Sequence, residues 1–304
     1  MPIARSIRVW NHPMDRSPLR IARDYNRGLS PEMRAVHIGA AWMRGALRPV
    51  TAVVCDPRRR AWAVPVALGA VGFVVVYPMD GALSRWLRAI PLGGDVKREL
   101  TAWQQYGALT SLVVTGVIIA LLDGRRWRRV LDLGAAAILT VLACNVMKNV
   151  VGRPRPVLGD PRTILGPWGM YPVPVVDAGG KERMVLTHAW GGAAEVKGAG
   201  AVGRVGYELW SMPSSHTAGA VVLSFFLAAL YPRLRPVAIV LAVMVGLARV
   251  ITGAHWPSDV ILGAALGYAI AAVVMPHYLG IRAVDWAWRK AIDPQAAPTA
   301  LPLR

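Results

Sequence analysis

The second half of the chain spaces basic residues, imidazoles and a carboxylate in a pattern that suits phosphoryl chemistry. Lys148 is followed by Arg153-Pro154-Arg155-Pro156, then by Pro213-Ser214-Ser215-His216, then by Arg249, and finally by His255-Trp256-Pro257-Ser258-Asp259. Lys148, Arg155 and Arg249 supply three cations that match a dianion with several oxygens, and guanidinium forks offer paired hydrogen bonds to it. Ser214, Ser215 and His216 open an apolar run, so their amides at a helix N-terminus add donors and a favourable dipole. Two histidines, His216 and His255, allow nucleophile and proton donor to be separate groups. Asp259 follows His255 by four residues, which at a helix start brings the carboxylate within reach of the imidazole, although an isolated pair at this spacing is as often structural. Lys148 or Arg155 taken alone reads as an interfacial anchor, whereas Arg249, inside an apolar run, needs a partner or a wet cavity. No cluster of carboxylates is present to hold magnesium, and the two cysteines, Cys55 and Cys144, form no metal motif. No metal or other cofactor is therefore expected, and the cations themselves would stabilise a transferring phosphoryl group.

The elements that must position these residues are six apolar runs, at about 62–78, 106–122, 130–147, 217–231, 236–251 and 260–276. Each approaches bilayer-spanning length once its flanks are counted. Lys148 ends the third run and Arg249 closes the fifth, while His216 opens the fourth and His255 and Asp259 open the sixth. If the N-terminus is inside, all of these ends lie on the extracytoplasmic face. Basic residues set that orientation: 12 Arg in 1–60, four in 123–129, two in 232–235 and four Lys or Arg in 279–304 fall on one side. The opposite side carries four in 79–105 and eight in 148–213, and the latter link is long enough to escape the positive-inside rule. The expected fold is an all-α integral membrane protein with six transmembrane helices across 61–278 and an extracytoplasmic active site. A basic cytoplasmic segment, 1–60, precedes it, with an amphipathic helix through Met33, Val36, Ala40, Met43 and Leu47. A cytoplasmic tail, 279–304, follows. Within the 148–213 link, Val175 to Val185 resembles a hairpin around a Gly turn, placing either a lid over the site or a passive surface insertion there.

Composition agrees with a membrane location. Of 304 residues, 55% are hydrophobic and 17% charged, with a mean hydropathy of +0.40. The net charge of +18 would suit nucleic acid, anionic lipid or a phosphorylated substrate. Because topology accounts for most of the excess, the expected partners are membrane lipids and a lipid phosphate, and nucleic acid is not among them. Residues 1–30 hold no apolar stretch, so no cleavable secretory signal is expected there, and a bacterial inner membrane is the expected location.

Lys148, six residues, then Arg155-Pro156; Pro213-Ser214-Ser215-His216; and Arg249, five residues, His255, three residues, Asp259 together resemble the three-part signature of the type 2 phosphatidic acid phosphatase family, related to vanadium-dependent haloperoxidases. The resemblance runs over about 106–276 and selects Arg155 rather than Arg153 as the motif arginine. It implies a metal-independent lipid phosphate or diphosphate phosphatase, with a lipid phosphotransferase as the near alternative; a non-catalytic anion-binding membrane protein would not need the histidines. By that likeness His255 attacks phosphorus, Asp259 orients it, and His216 protonates the leaving oxygen and then activates water. Lys148, Arg155, Arg249, Ser214 and Ser215 would hold the phosphate. Two positions depart from the pattern: Ser215 replaces a glycine, so the loop must adopt an ordinary backbone conformation there, and Ala248 replaces the serine before Arg249.

Overall fold

The computed structural model describes residues 56–176, 180–190 and 205–296. The chain divides into two units, Met1–Asp56 and Pro57–Arg304, and the second contains all the described helices and strands. The amphipathic helix expected at 33–47 lies outside the described residues.

Every one of the six apolar runs contains a helix. They are α1 (Pro57–Val76), α4 (Leu109–Leu122), α5 (Val130–Val151), α6 (Ser215–Leu230), α7 (Arg235–Ile251) and α8 (Pro257–Val274). The links contribute α2 (Asp80–Arg88) and α3 (Gly94–Trp103) before α4, and α9 (Leu279–Ala291) after α8. Residues 279–291, read from the sequence as a tail, are thus helical: the Asp132 carboxylate accepts from the amides of Gly280 and Ile281 at 2.9 and 3.2 Å and caps the free donors of α9. Among the described residues, four helices are long and apolar enough to cross a bilayer. A fifth span exists if α3 and α4, bent by 61° at their junction, count as one, while α6 is apolar but only 16 residues long.

α6 runs through the middle of the bundle and packs against α5, α7, α8 and the 3₁₀ turn Gln104–Gly107. Its inward side chains Val222, Leu223 and Phe226 meet Leu112 and Ile119 of α4, Leu133 of α5 and Val274 of α8 in one buried core. Close approach of α8 to α6 depends on glycine. A Cβ at Gly263 or Gly267 would collide with the main chain of Ser214 or Ala218, so no larger residue lets these backbones come together. The 148–213 link carries its own small core of Val173, Val175, Ala189 and Leu209. Its hairpin pairs β1 (Tyr171–Val176) antiparallel with β2 (Glu182–Thr187), with Val173 opposite Val185, and Gly180 takes a left-handed φ of 78° in the turn.

Candidate active site

Helix termini deliver the reactive groups to one end of the bundle. Gly152, in a left-handed conformation (φ 59°), stops α5 by donating to the Lys148 carbonyl, which leaves Lys148 in the last turn. Ser214 is the N-cap of α6, its Oγ accepting from the Thr217 amide at 3.4 Å, so Ser215 and His216 begin the helix. Ser215 has ordinary helical geometry, which explains why a residue with a side chain is accommodated where the related motif has glycine. Its hydroxyl is hydrogen-bonded by the Lys148 ammonium. At the end of α7 the Arg249 carbonyl accepts from the amides of both Ala254 and His255, at 3.1 Å each, and Gly253 (φ 71°) makes that turn possible. Pro257 then starts α8 at the position where its missing N–H costs nothing.

Lys148, Arg155, Arg249, Ser214, His255 and Asp259 are all buried, and Ser215 and His216 are half-buried. The Arg155 guanidinium donates to the carbonyls of Tyr207 (3.0 Å) and Ala254 (3.1 Å) and lies 3.8 Å from the centre of the Tyr207 ring. Arg249 donates to the side-chain oxygen of Gln104, and its buried Nε has no partner among the described residues. Burial, followed by the positive charges of Arg249, Arg155 and Lys148, holds the His255 imidazole well below its ordinary pKa and therefore neutral. The same three cations lie within electrostatic reach of His216.

The His255–Asp259 pair is arranged differently from what its spacing suggested. Nδ1 of His255 faces the main-chain carbonyl of Ser211 at 2.5 Å. Asp259 instead accepts from the Ser211 hydroxyl (2.5 Å), from the Trp256 amide (3.0 Å) and from Arg153 (2.6 Å). The reason is positional. Trp256 is the N-cap of α8, so His255 precedes the helix and helical i, i+4 adjacency does not apply, whereas Asp259 at N3 reaches back to the N-cap amide. A carbonyl can only accept, so Nδ1 carries the hydrogen and Nε2 keeps its lone pair. The link from Asp259 to His255 passes through Ser211.

Sequence reading passed over several groups that complete the site: Gln104 beside Arg249, Tyr207 beneath Arg155, Ser211, Asp80, and Arg153, which the motif spacing set aside. A glutamine bordering an apolar run was the one signal available for any of them. Beside the polar cluster, a cavity of about 320 Å³ between α4, α5 and α6 is walled by apolar groups such as Leu109, Leu112 and Val141 and reaches Ser215 and His216.

Lipid A 1-phosphatases of Rhizobium etli and Rhizobium johnstonii are each 49% identical to the chain over 59 residues. That is 19% of this chain and only 25% and 23% of theirs, so the match spans about a quarter of those relatives' length. Among solved structures, a transmembrane PAP2 type phosphatidylglycerolphosphate phosphatase from Bacillus subtilis aligns at a TM-score of 0.46 and 21% identity, covering 71% of this chain and 96% of that one. LpxE of Aquifex aeolicus aligns at 0.44 and 17% identity, covering 65% and 94%. The PAP2 superfamily model matches residues 129–281, half of the chain and the whole stretch from Lys148 to Asp259, and the protein belongs to that superfamily.

Proposed function

We propose that this protein is a membrane phosphatase that hydrolyses a lipid phosphate or diphosphate through a phosphohistidine on His255, without a metal ion. The observation that carries the reading is a neutral, buried His255 with Nδ1 committed to a carbonyl, placed within the field of Lys148, Arg155 and Arg249. Nε2 of His255 attacks phosphorus as the bond to the lipid oxygen breaks, and His216 supplies the proton to that oxygen. Water deprotonated by His216 then displaces the imidazole, breaking the P–N bond and releasing inorganic phosphate. The cations, the free Nε of Arg249 and the first amides of α6 stabilise charge on the transferring group. Asp80 and Asp259 are both bonded to Arg153.

A lipid rather than a soluble ester is favoured by the apolar cavity that reaches Ser215 and His216. The length of α6 points the same way. Its 16 residues span about 24 Å against a hydrocarbon core of ~30 Å, so with its other end at the opposite surface His216 sits at a depth where a lipid headgroup can meet it. We place six crossings here, both termini in the cytoplasm, and the site on the extracytoplasmic side of the inner membrane. The short match to lipid A 1-phosphatases puts phosphorylated saccharolipids first among candidate substrates. Purified protein in detergent with EDTA should release inorganic phosphate from one or more of lipid A, phosphatidylglycerol phosphate, phosphatidate and polyprenyl diphosphate, and His255→Ala should release none. Turnover lost in EDTA and restored by magnesium, or full turnover by His255→Ala, would overturn the reading; phosphate moved to a second lipid instead of water would mark a phosphotransferase.

A further inference from the structure

Arg153 falls outside the motif, yet it is the largest fully buried side chain among the described residues, with 0% exposure. Its guanidinium donates to Asp259 (2.6 Å) and Ser258 Oγ (2.8 Å) on one arm, and to Asp80 (2.6 Å) and the Pro161 carbonyl (2.5 Å) on the other. The rings of Tyr77 and Trp256 stand 4.7 and 5.6 Å from it. Asp80 in turn accepts from both the amide and the hydroxyl of Ser258. A charge so completely removed from water persists only when such partners replace its hydration.

What this cluster holds in place is a closed ring of hydrogen bonds that ends at the nucleophile. The Arg153 carbonyl accepts from the Ser211 amide at 3.1 Å, the Ser211 hydroxyl donates to Asp259, and Asp259 is clamped by the Arg153 side chain. Ser211 is therefore fixed at both its amide and its hydroxyl, and its remaining carbonyl is the group that receives Nδ1–H of His255.

We propose that Asp80, Arg153 and Ser211 are positioning residues for His255, forming a relay in which Asp80 sets the guanidinium, the guanidinium sets Asp259, and Asp259 through the Ser211 hydroxyl sets the carbonyl that holds the imidazole. The relay rests on the reading of His255 as nucleophile. Two carboxylates share this one guanidinium in a dry environment, so each contact holds the others in place. Asp80 lies on α2, before the region matched by the superfamily model, so the nucleophile is oriented in part from outside that region.

The test uses full-length protein in detergent and compares Ser211→Ala, Ser211→Thr, Asp80→Asn and Arg153→Lys with wild type. Ser211→Ala, the mildest, deletes the tie to Asp259 and leaves the carbonyl in the chain. It should lower kcat by roughly 10–100-fold, the range typical of lost outer-shell partners. KM and the inhibition constant of inorganic phosphate, which report the cation cluster, should stay within about twofold on that scale. Ser211→Thr, which keeps a hydroxyl, should recover most of kcat, while Asp80→Asn and Arg153→Lys should follow Ser211→Ala. A folded Ser211→Ala enzyme with wild-type kcat would overturn the relay, as would a loss of kcat that tracks lost phosphate inhibition and melting temperature. His255→Ala separates the two levels: if it is inactive while the relay variants are fully active, only the relay fails, and if it turns over, the nucleophile assignment itself fails.

Discussion

His255 shows how burial, helped by neighbouring positive charge, chooses a protonation state. The folded protein keeps its imidazole neutral, with a pKa below that of the unfolded chain, so below about pH 6.5 the unfolded state binds a proton that the folded state refuses. Stability contributed by this group is complete above that value and is lost as pH falls toward the folded pKa. Thermal unfolding in detergent should therefore show a larger drop in melting temperature between pH 7.5 and 5.5 for wild type than for His255→Asn; equal drops would assign the pH dependence to other groups. The residue types of the candidate site were legible in the sequence because the phosphoryl chemistry proposed for them restricts the choice. Their partners were not. Tyr207 and Ser211 are ordinary polar residues whose contacts lie 52 and 44 or more residues away, and nothing local distinguishes them; Gln104, which meets Arg249 across 145 residues, stands out only by bordering an apolar run.

The helices matter to function mainly through their ends. α5 and α7 stop, and α6 and α8 start, at the same level, and the small residues between them set how closely those ends converge. Gly263 stands against the main chain of Ser214, the N-cap of α6, and Ser214 donates its amide to the Asp259 carbonyl at 3.1 Å. Gly263→Ala should thus cost ~1–3 kcal/mol of stability, as overpacking of a tight contact does, and lower kcat by displacing His216 relative to His255. Gly134, with open space around it, is the control, and Gly134→Ala should leave kcat unchanged and raise stability by ~0.5–1 kcal/mol, as alanine for an unobstructed helix glycine does. Chemical unfolding and steady-state rates of the two variants check this; equal behaviour would mean that the α6–α8 approach does not govern the site. The hairpin link also contacts the site. Its return segment supplies Tyr207, whose carbonyl and ring both engage Arg155.

On the scale of the whole molecule, the two ends of the bundle are built on the same plan with different purposes. One end gathers Lys148, Arg155 and Arg249. The other is tied by Arg129 to Asp132 at 2.6 Å and by Asp123, which pairs with Arg126 (2.8 Å) and accepts from the Tyr231 hydroxyl (2.9 Å). The orientation proposed above predicts that Gly180→Cys is labelled by an impermeant thiol reagent in intact cells and Ala297→Cys is not; the reverse pattern would invert the protein. The sequence by itself determined the apolar runs, the helix ends at which reactive residues must lie, and the motif that places the chain in its superfamily. These are local properties, written in residue type, period and spacing. Only the tertiary structure decided that Asp259 bonds Ser211 while His255 faces the Ser211 carbonyl, that Arg153 ties Asp259 to Asp80, and that Lys148 bonds to Ser215. Arg153 meets Asp80 and Asp259 across 73 and 106 residues of chain, and Asp80 meets Ser258 across 178. Contacts that distant depend on how helices pack side by side, and packing leaves no periodic trace in the residues that take part in it.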